Sequence, residues 1–181
     1  ESPARYSSQA IPVLREKLSG YAVKDSFLDA SGTLWMTTQR GLLRFARGAL
    51  ARLTTADGLP VDDLQTAFQD RDGNLWFGSL GGGVIRHAAG EISSLGPSQG
   101  FAAAQVALFY EDREGSLWIG TDDGGLHRLK DGKFLVIGKP EGLSDDLVWA
   151  IFEDRAGDVW IGTDSGLNRL RGREIRRYTK A

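Results

Sequence analysis

The chain contains no cysteine, which excludes a disulfide framework and a cysteine-based zinc site and leaves its redox compartment open. Histidine is almost as scarce. The two present, His87 and His127, lie forty residues apart with no carboxylate recurring beside them at ligand spacing, so neither a metal centre nor a cofactor is expected. No serine or cysteine nucleophile with an adjacent base can be assembled, which argues against nucleophilic catalysis. Charge of one sign is also lacking: 22 basic and 24 acidic residues give a formal net charge of -2, without any block of five like charges, so nucleic acid is not an expected partner. The longest apolar run, residues 147 to 152, is far short of the roughly 18 residues that a membrane helix needs, and no direct membrane contact is expected. The first residues have no basic start followed by an apolar core, so a signal peptide is expected to be absent or already removed.

What is abundant is glycine, 24 residues, and tryptophan, five. Four of the tryptophans, Trp35, Trp76, Trp118 and Trp160, are spaced by 41, 42 and 42 residues. The period carries further residues with it. Asp29, Asp70, Asp112 and Asp154 precede their Trp by six positions, glycines 32, 73, 115 and 157 precede it by three, and arginines 44, 86, 128 and 169 follow it by nine or ten. Within one unit, "LVWAIFED", "RAGD" and "VWIGT" spell a strand, a turn and a strand; "DSG" and "GR" then lead into two further strands. The Asp before the turn is placed to accept backbone N–H groups, and the Gly to take a left-handed conformation. Four short antiparallel strands at a period near 42 residues specify an all-β fold, a β-propeller made of four-stranded blades. The inner strands are apolar on successive residues because both faces of a blade pack on neighbours.

One domain is expected, with blades at residues 17–57, 58–99, 100–141 and 142–181, placed by the recurring Leu18, Leu59, Phe101 and Leu143. Residues 1–16 read as the outer strand of a preceding blade. Four blades imply an incomplete ring whose exposed apolar faces favour self-association, as a pair of chains giving eight blades, or else a strained closure as four.

"VWAIFEDRAGDVWIGTDSGLNRL", with looser copies ending at Leu129, Arg86 and Phe45, resembles the two-component regulator propeller repeat. That resemblance implies a seven-bladed sensor propeller on the periplasmic or other extracytoplasmic side of a membrane-anchored bacterial histidine kinase or diguanylate cyclase. It implies a non-catalytic domain that senses a small molecule or glycan and relays binding to the output domain. A protein-interaction scaffold is the alternative. A lyase is a more remote one, because "DGNLWF" also resembles repeats of the streptogramin lyase propellers.

A residue fixed in all four copies is explained by the blade, so the Asp and Trp series are expected to be structural. The Arg series is expected to pair with a fixed Asp or to stack on a Trp of the next unit. "DRDGNLW" has its Gly at the fourth position instead of the sixth of a calcium loop, and "GSLGGGVIR" has no Lys-Ser or Lys-Thr after it and no helix to open, so neither is a ligand motif. Candidates for ligand contact are the positions that diverge between copies. On the innermost strand Lys24, Gln65, Ala107 and Trp149 are equivalent, and Trp149 is either a channel plug or a platform for a planar ligand. The loop between second and third strands contributes Gln39 and Arg40, Asp122 and Asp123, and Asp164 and Ser165. The histidines are expected to be exposed, or satisfied strand residues, with His127 a further candidate.

Overall fold

The computed structural model describes residues 16–103 and 105–179, and these form four antiparallel sheets of four strands each. The outer strand expected over residues 1–16 falls almost entirely outside the described residues. Blade 1 comprises β1 (Val23–Leu28), β2 (Leu34–Thr38), β3 (Gly41–Ala46) and β4 (Ala49–Leu53). Blade 2 comprises β5 (Leu64–Gln69), β6 (Leu75–Ser79), β7 (Val84–Ala88) and β8 (Glu91–Leu95). Blade 3 comprises β9 (Val106–Glu111), β10 (Leu117–Thr121), β11 (Leu126–Lys130) and β12 (Lys133–Ile137). Blade 4 comprises β13 (Val148–Glu153), β14 (Val159–Thr163), β15 (Gly166–Arg171) and β16 (Glu174–Tyr178). Strands within each blade pair in sequence order, and the first strands β1, β5, β9 and β13 lie each against the next, so they form the innermost layer.

The fixed residues build the first hairpin of each blade. One oxygen of the Asp carboxylate accepts backbone N–H groups of its turn, as Asp112 Oδ1 does from Glu114 and Ser116 at 3.0 and 2.8 Å. The other accepts the indole N–H of the Trp six residues on, at 2.8, 2.8, 2.8 and 2.9 Å in blades 1 to 4. The turn glycines have φ of 80°, 84°, 77° and 84°, a conformation in which a β-carbon would be strained. The repeated Arg does not stack on a Trp of the next unit. It sits directly across from the Trp of its own blade, with Arg44, Arg86, Arg128 and Arg169 lying 5.8, 5.6, 5.6 and 6.0 Å over Trp35, Trp76, Trp118 and Trp160. The cause is the register: Trp and Arg are paired residues on adjacent strands whose side chains share one face. Nor does this Arg pair with the fixed Asp; Arg169 approaches Asp158 instead.

The core lies between blades. The face carrying Trp and Arg packs on the opposite face of the following blade, with Leu59, Phe101 and Leu143 wedged into the three seams. Gly78 permits the second of these contacts, since a β-carbon there would lie 2.6 Å from Val106. A polar joint accompanies each seam. The backbone N–H after the fixed Asp, in Ala30, Arg71 and Arg113, donates to the side chain ending the next blade's first strand, Gln69, Glu111 and Glu153, at 3.2, 2.9 and 2.9 Å. Arg71 and Arg113 also donate guanidinium N–H groups to the backbone carbonyls of Arg113 and Arg155.

The two ends differ. The outward face of blade 1, Met36, Leu43 and Phe45, is buried and packs with Leu18 and Tyr21. The outward face of blade 4 is open: Phe152 is 61% exposed, and Leu167 and Tyr178 are exposed as well, whereas Leu42, Val84 and Leu126 at the position of Leu167 are buried. Strained closure of four blades on themselves is therefore not the arrangement adopted.

Candidate functional site

Each loop between second and third strands is closed by the hydroxyl that ends the second strand. Thr38, Ser79, Thr121 and Thr163 donate to the carbonyls of Gly41, Gly83, Gly125 and Gly166 at 2.8, 2.7, 2.7 and 3.0 Å. These hydroxyls recur at the repeat period, and that recurrence was the signal by which they could have been found. The loops are then tied to the segments leading into the first strands. Leu80, Asp122 and Asp164 donate backbone N–H groups to Asp63, Gln105 and Leu147, while Gly41 and Gly125 donate across a seam to Asp62 and Asp146. Both loop sets thus occupy one end of the blades, as the alternation of strand direction requires.

Lys24, Gln65, Ala107 and Trp149 are equivalent in a specific way: each is the extra residue of a β-bulge where its first strand loses register with the second. A bulge leaves its residue free of the ladder and re-aims the side chain. Lys24 and Gln65 both reach Asp63 Oδ1, at 2.8 and 2.7 Å. Trp149 is 57% exposed in this arc of four blades.

The divergent loops of blades 3 and 4 both bond to the segment leading into β13, the strand that carries Trp149, through Gly125 to Asp146 and Asp164 to Leu147. Ser165 donates its hydroxyl to Asp145 Oδ2 at 2.7 Å, and Lys139 lies 3.4 Å from the same carboxylate; these bonds, led by that from Ser165, hold the Asp145 carboxyl below its ordinary range. Asp164 is exposed, and its backbone is bonded to Leu147, two residues before Trp149. Beneath, Asn168 bonds Ser144, which shares a hydrogen bond with Thr163, fixing the base of the loop. The loop holding Asp122 and Asp123 joins this group through the Gly125 to Asp146 bond. Asp122 has one carboxylate oxygen buried without a partner, and burial, with the neighbouring charge of Asp123, pushes its carboxyl up. Gln39 and Arg40 are not part of the group. They lie at the other end of the arc, in blade 1, where Arg40 donates to the Gly20 carbonyl at 3.5 Å.

His87 lies elsewhere, whereas His127 packs under the loop of Asp122 and Asp123, where a β-carbon on Gly124 would come 3.2 Å from its Cε1. His127 is 1% exposed in the seam of blades 2 and 3, with its ring 4.6 Å from that of Phe101 and Nδ1 without a hydrogen-bond partner. It is neither exposed nor fully satisfied. The reason is its position on β11, where the equivalent residues are Leu43, Ile85 and Asn168, all buried. His87 packs against Trp35 at 5.6 Å. Among the described residues no group of three or more His, Cys, Asp or Glu could hold a metal ion.

Burial lowers the affinity of His127 for a proton, so the unfolded chain binds that proton more readily and stability falls as pH drops below about 6.5. His127→Ile, the residue of blade 2 at this position, is expected to stabilise by about 1 kcal/mol and to flatten the melting temperature between pH 7 and 5. A lower melting temperature at pH 7 would show that the imidazole is paired.

Comparison with known proteins follows the repeat. Residues 58–81, 100–123 and 142–165 match the model of the two component regulator propeller. Among curated proteins none matches the sequence significantly. Two solved extracellular domains of hybrid two-component systems from B. thetaiotaomicron superpose with TM-scores of 0.77 and 0.70, at 22% and 19% identity, over 88% and 87% of this chain. The chain spans only 23% and 25% of theirs. Virginiamycin B lyase from Staphylococcus aureus superposes at 0.66 with 17% identity over 87% of this chain and 55% of the lyase. No helix among the described residues is long and apolar enough to cross a membrane. The chain is an arc of four propeller blades, and segments of three of them match the model of the two component regulator propeller.

Proposed function

We propose that the chain is the non-catalytic, ligand-sensing part of an extracytoplasmic bacterial receptor, binding a small molecule or glycan at the loop-bearing end of blades 3 and 4. The observation that carries this reading is the convergence of Trp149, Asp164, Ser165, Asp122 and Asp123 on one connected rim, while the residues fixed in every copy are consumed by hairpins and seams. An exposed indole beside carboxylates suits a sugar ring, whose apolar face stacks and whose hydroxyls donate. Binding there changes blade packing, and the change passes to a histidine kinase or diguanylate cyclase.

The open face of blade 4 supports membership of a larger ring. A second copy would bring Leu28 to Arg155, where each internal seam after the first strand uses Gln or Glu, so a further blade fits better than self-association. The lyase fold is shared, but the two histidines of this chain sit in different seams at non-equivalent blade positions, His87 against Trp35 and His127 against Phe101, which argues against a lyase.

In the full-length receptor, Trp149→Ala and Asp122→Ala are each expected to abolish ligand-dependent output while leaving the melting temperature within about 2 °C. Intact output in both would overturn the reading.

A further inference from the structure

The outer rim of the seam between blades 3 and 4 differs from the other seams. On the outer strand β12, Leu135 and Val136 are 48% and 40% exposed. The register places Ala51 and Arg52, Ser93 and Ser94, and Arg176 and Arg177 at the equivalent positions, so blade 3 alone presents two large apolar side chains there.

Arg128 departs as well. In blade 2, Arg86 donates to Asn74 Oδ1 at 2.8 Å, and in blade 4, Arg169 lies 3.7 Å from Asp158. The residue at this place in blade 3 is Ser116, whose hydroxyl is buried without a partner, leaving Arg128 with its stacking contact on Trp118. Arg44 likewise faces a threonine, Thr33, but the groove beside it is walled by Ala46, Ala49 and Ala51 and offers no large apolar surface.

These departures meet in one cavity of about 740 Å3, walled by Leu135, Ile137, Leu170 and Ile175 and carrying Arg128 and Arg173. Its volume is that of a small-molecule site, roughly 300 to 1,000 Å3. One acid also lines it, Glu141, whose carboxylate already accepts the Gly138 N–H at 2.8 Å. The charge not engaged within the chain is therefore cationic, and a planar guanidinium held on an indole suits a carboxylate.

We propose that this groove binds a small amphipathic carboxylate, with its anionic head on Arg128 and Arg173 and its apolar body along Leu135, Ile137, Leu170 and Ile175. The site is on the outer rim, is lined by side chains other than those of the proposed sensing site, and stands or falls separately from the sensing role proposed there.

Calorimetric titration of the 181-residue chain with octanoate tests the assignment, with octylammonium and acetate as controls. Octanoate is expected to bind saturably at one site, acetate at least about tenfold more weakly for want of an apolar body, and octylammonium not at all. Ser116→Asn, which gives Arg128 the partner Arg86 has, is expected to weaken octanoate about tenfold. Leu135→Arg, on the exposed strand, is expected to abolish it without changing the melting temperature. Absence of saturable octanoate binding, equal binding of octylammonium, or unchanged affinity in Leu135→Arg would each overturn the proposal. If Ser116→Asn does not fold, Leu135→Arg and the octylammonium control still decide it.

Discussion

Phe101→Ala is expected to lower the stability of the chain by about 3 to 5 kcal/mol, read as a lower denaturation midpoint at unchanged denaturant slope. Phe101 is fully buried between blades 2 and 3, with its ring 4.6 Å from His127 and 5.6 Å from Phe134. It is the aromatic counterpart of Leu59 and Leu143, which occupy the flanking seams. Truncation removes most of a large side chain from a site whose walls are two β-sheets, and sheets held by their own ladders cannot collapse far into the void. Phe101→Leu supplies what the other seams use and is expected to cost less than about 1.5 kcal/mol. An alanine variant as stable as the parent would mean that the seam is not where the core energy lies.

The second large effect is expected at Asp112, which is buried and accepts three hydrogen bonds, from the Glu114 and Ser116 amides and the Trp118 indole. Asp112→Asn keeps the shape and changes one oxygen to an NH2 donor. In either amide orientation a donor then faces a donor, the indole N–H in one and the turn amides in the other. With the charge lost as well, the variant is expected to lose about 2 to 4 kcal/mol, whereas an exposed Asp→Asn elsewhere is worth about 0.5. Chemical denaturation of Asp112→Asn beside Asp131→Asn, at an exposed turn, makes the comparison; equal stability of the two would remove the carboxylate from the hairpin's account.

The blade was readable because its determinants are local and repeated. Asp, Gly and Trp at fixed offsets specify one hairpin, and four copies of the pattern separate what the fold demands from what varies. The Arg was harder: a residue nine or ten places after the Trp meets it only if both strands keep register, and period alone does not say whether the nearer ring is its own or its neighbour's. His127 carried a legible signal, since Leu43 and Ile85 at its position already marked the place as buried. The seam joints were also written in the chain, as Gln69, Glu111 and Glu153 each standing immediately before a fixed Asp, but their partners are about forty residues away and only assembly brings them together. For the candidate site, divergence singled out the residues, while the bulge that aims Trp149 outward and the split that leaves Gln39 and Arg40 apart depend on the three-dimensional arrangement.

Those joints make the arc directional. Every internal blade offers a donor amide at its hairpin and an acceptor at the end of its innermost strand, so blades join in one sense only, like units of a polar polymer. A duplicated unit of 42 residues would arrive with both valences and could be spliced between any two neighbours without leaving a broken bond. Such a gene can lengthen by whole units, and blade number becomes a quantity that recombination can change in a single event.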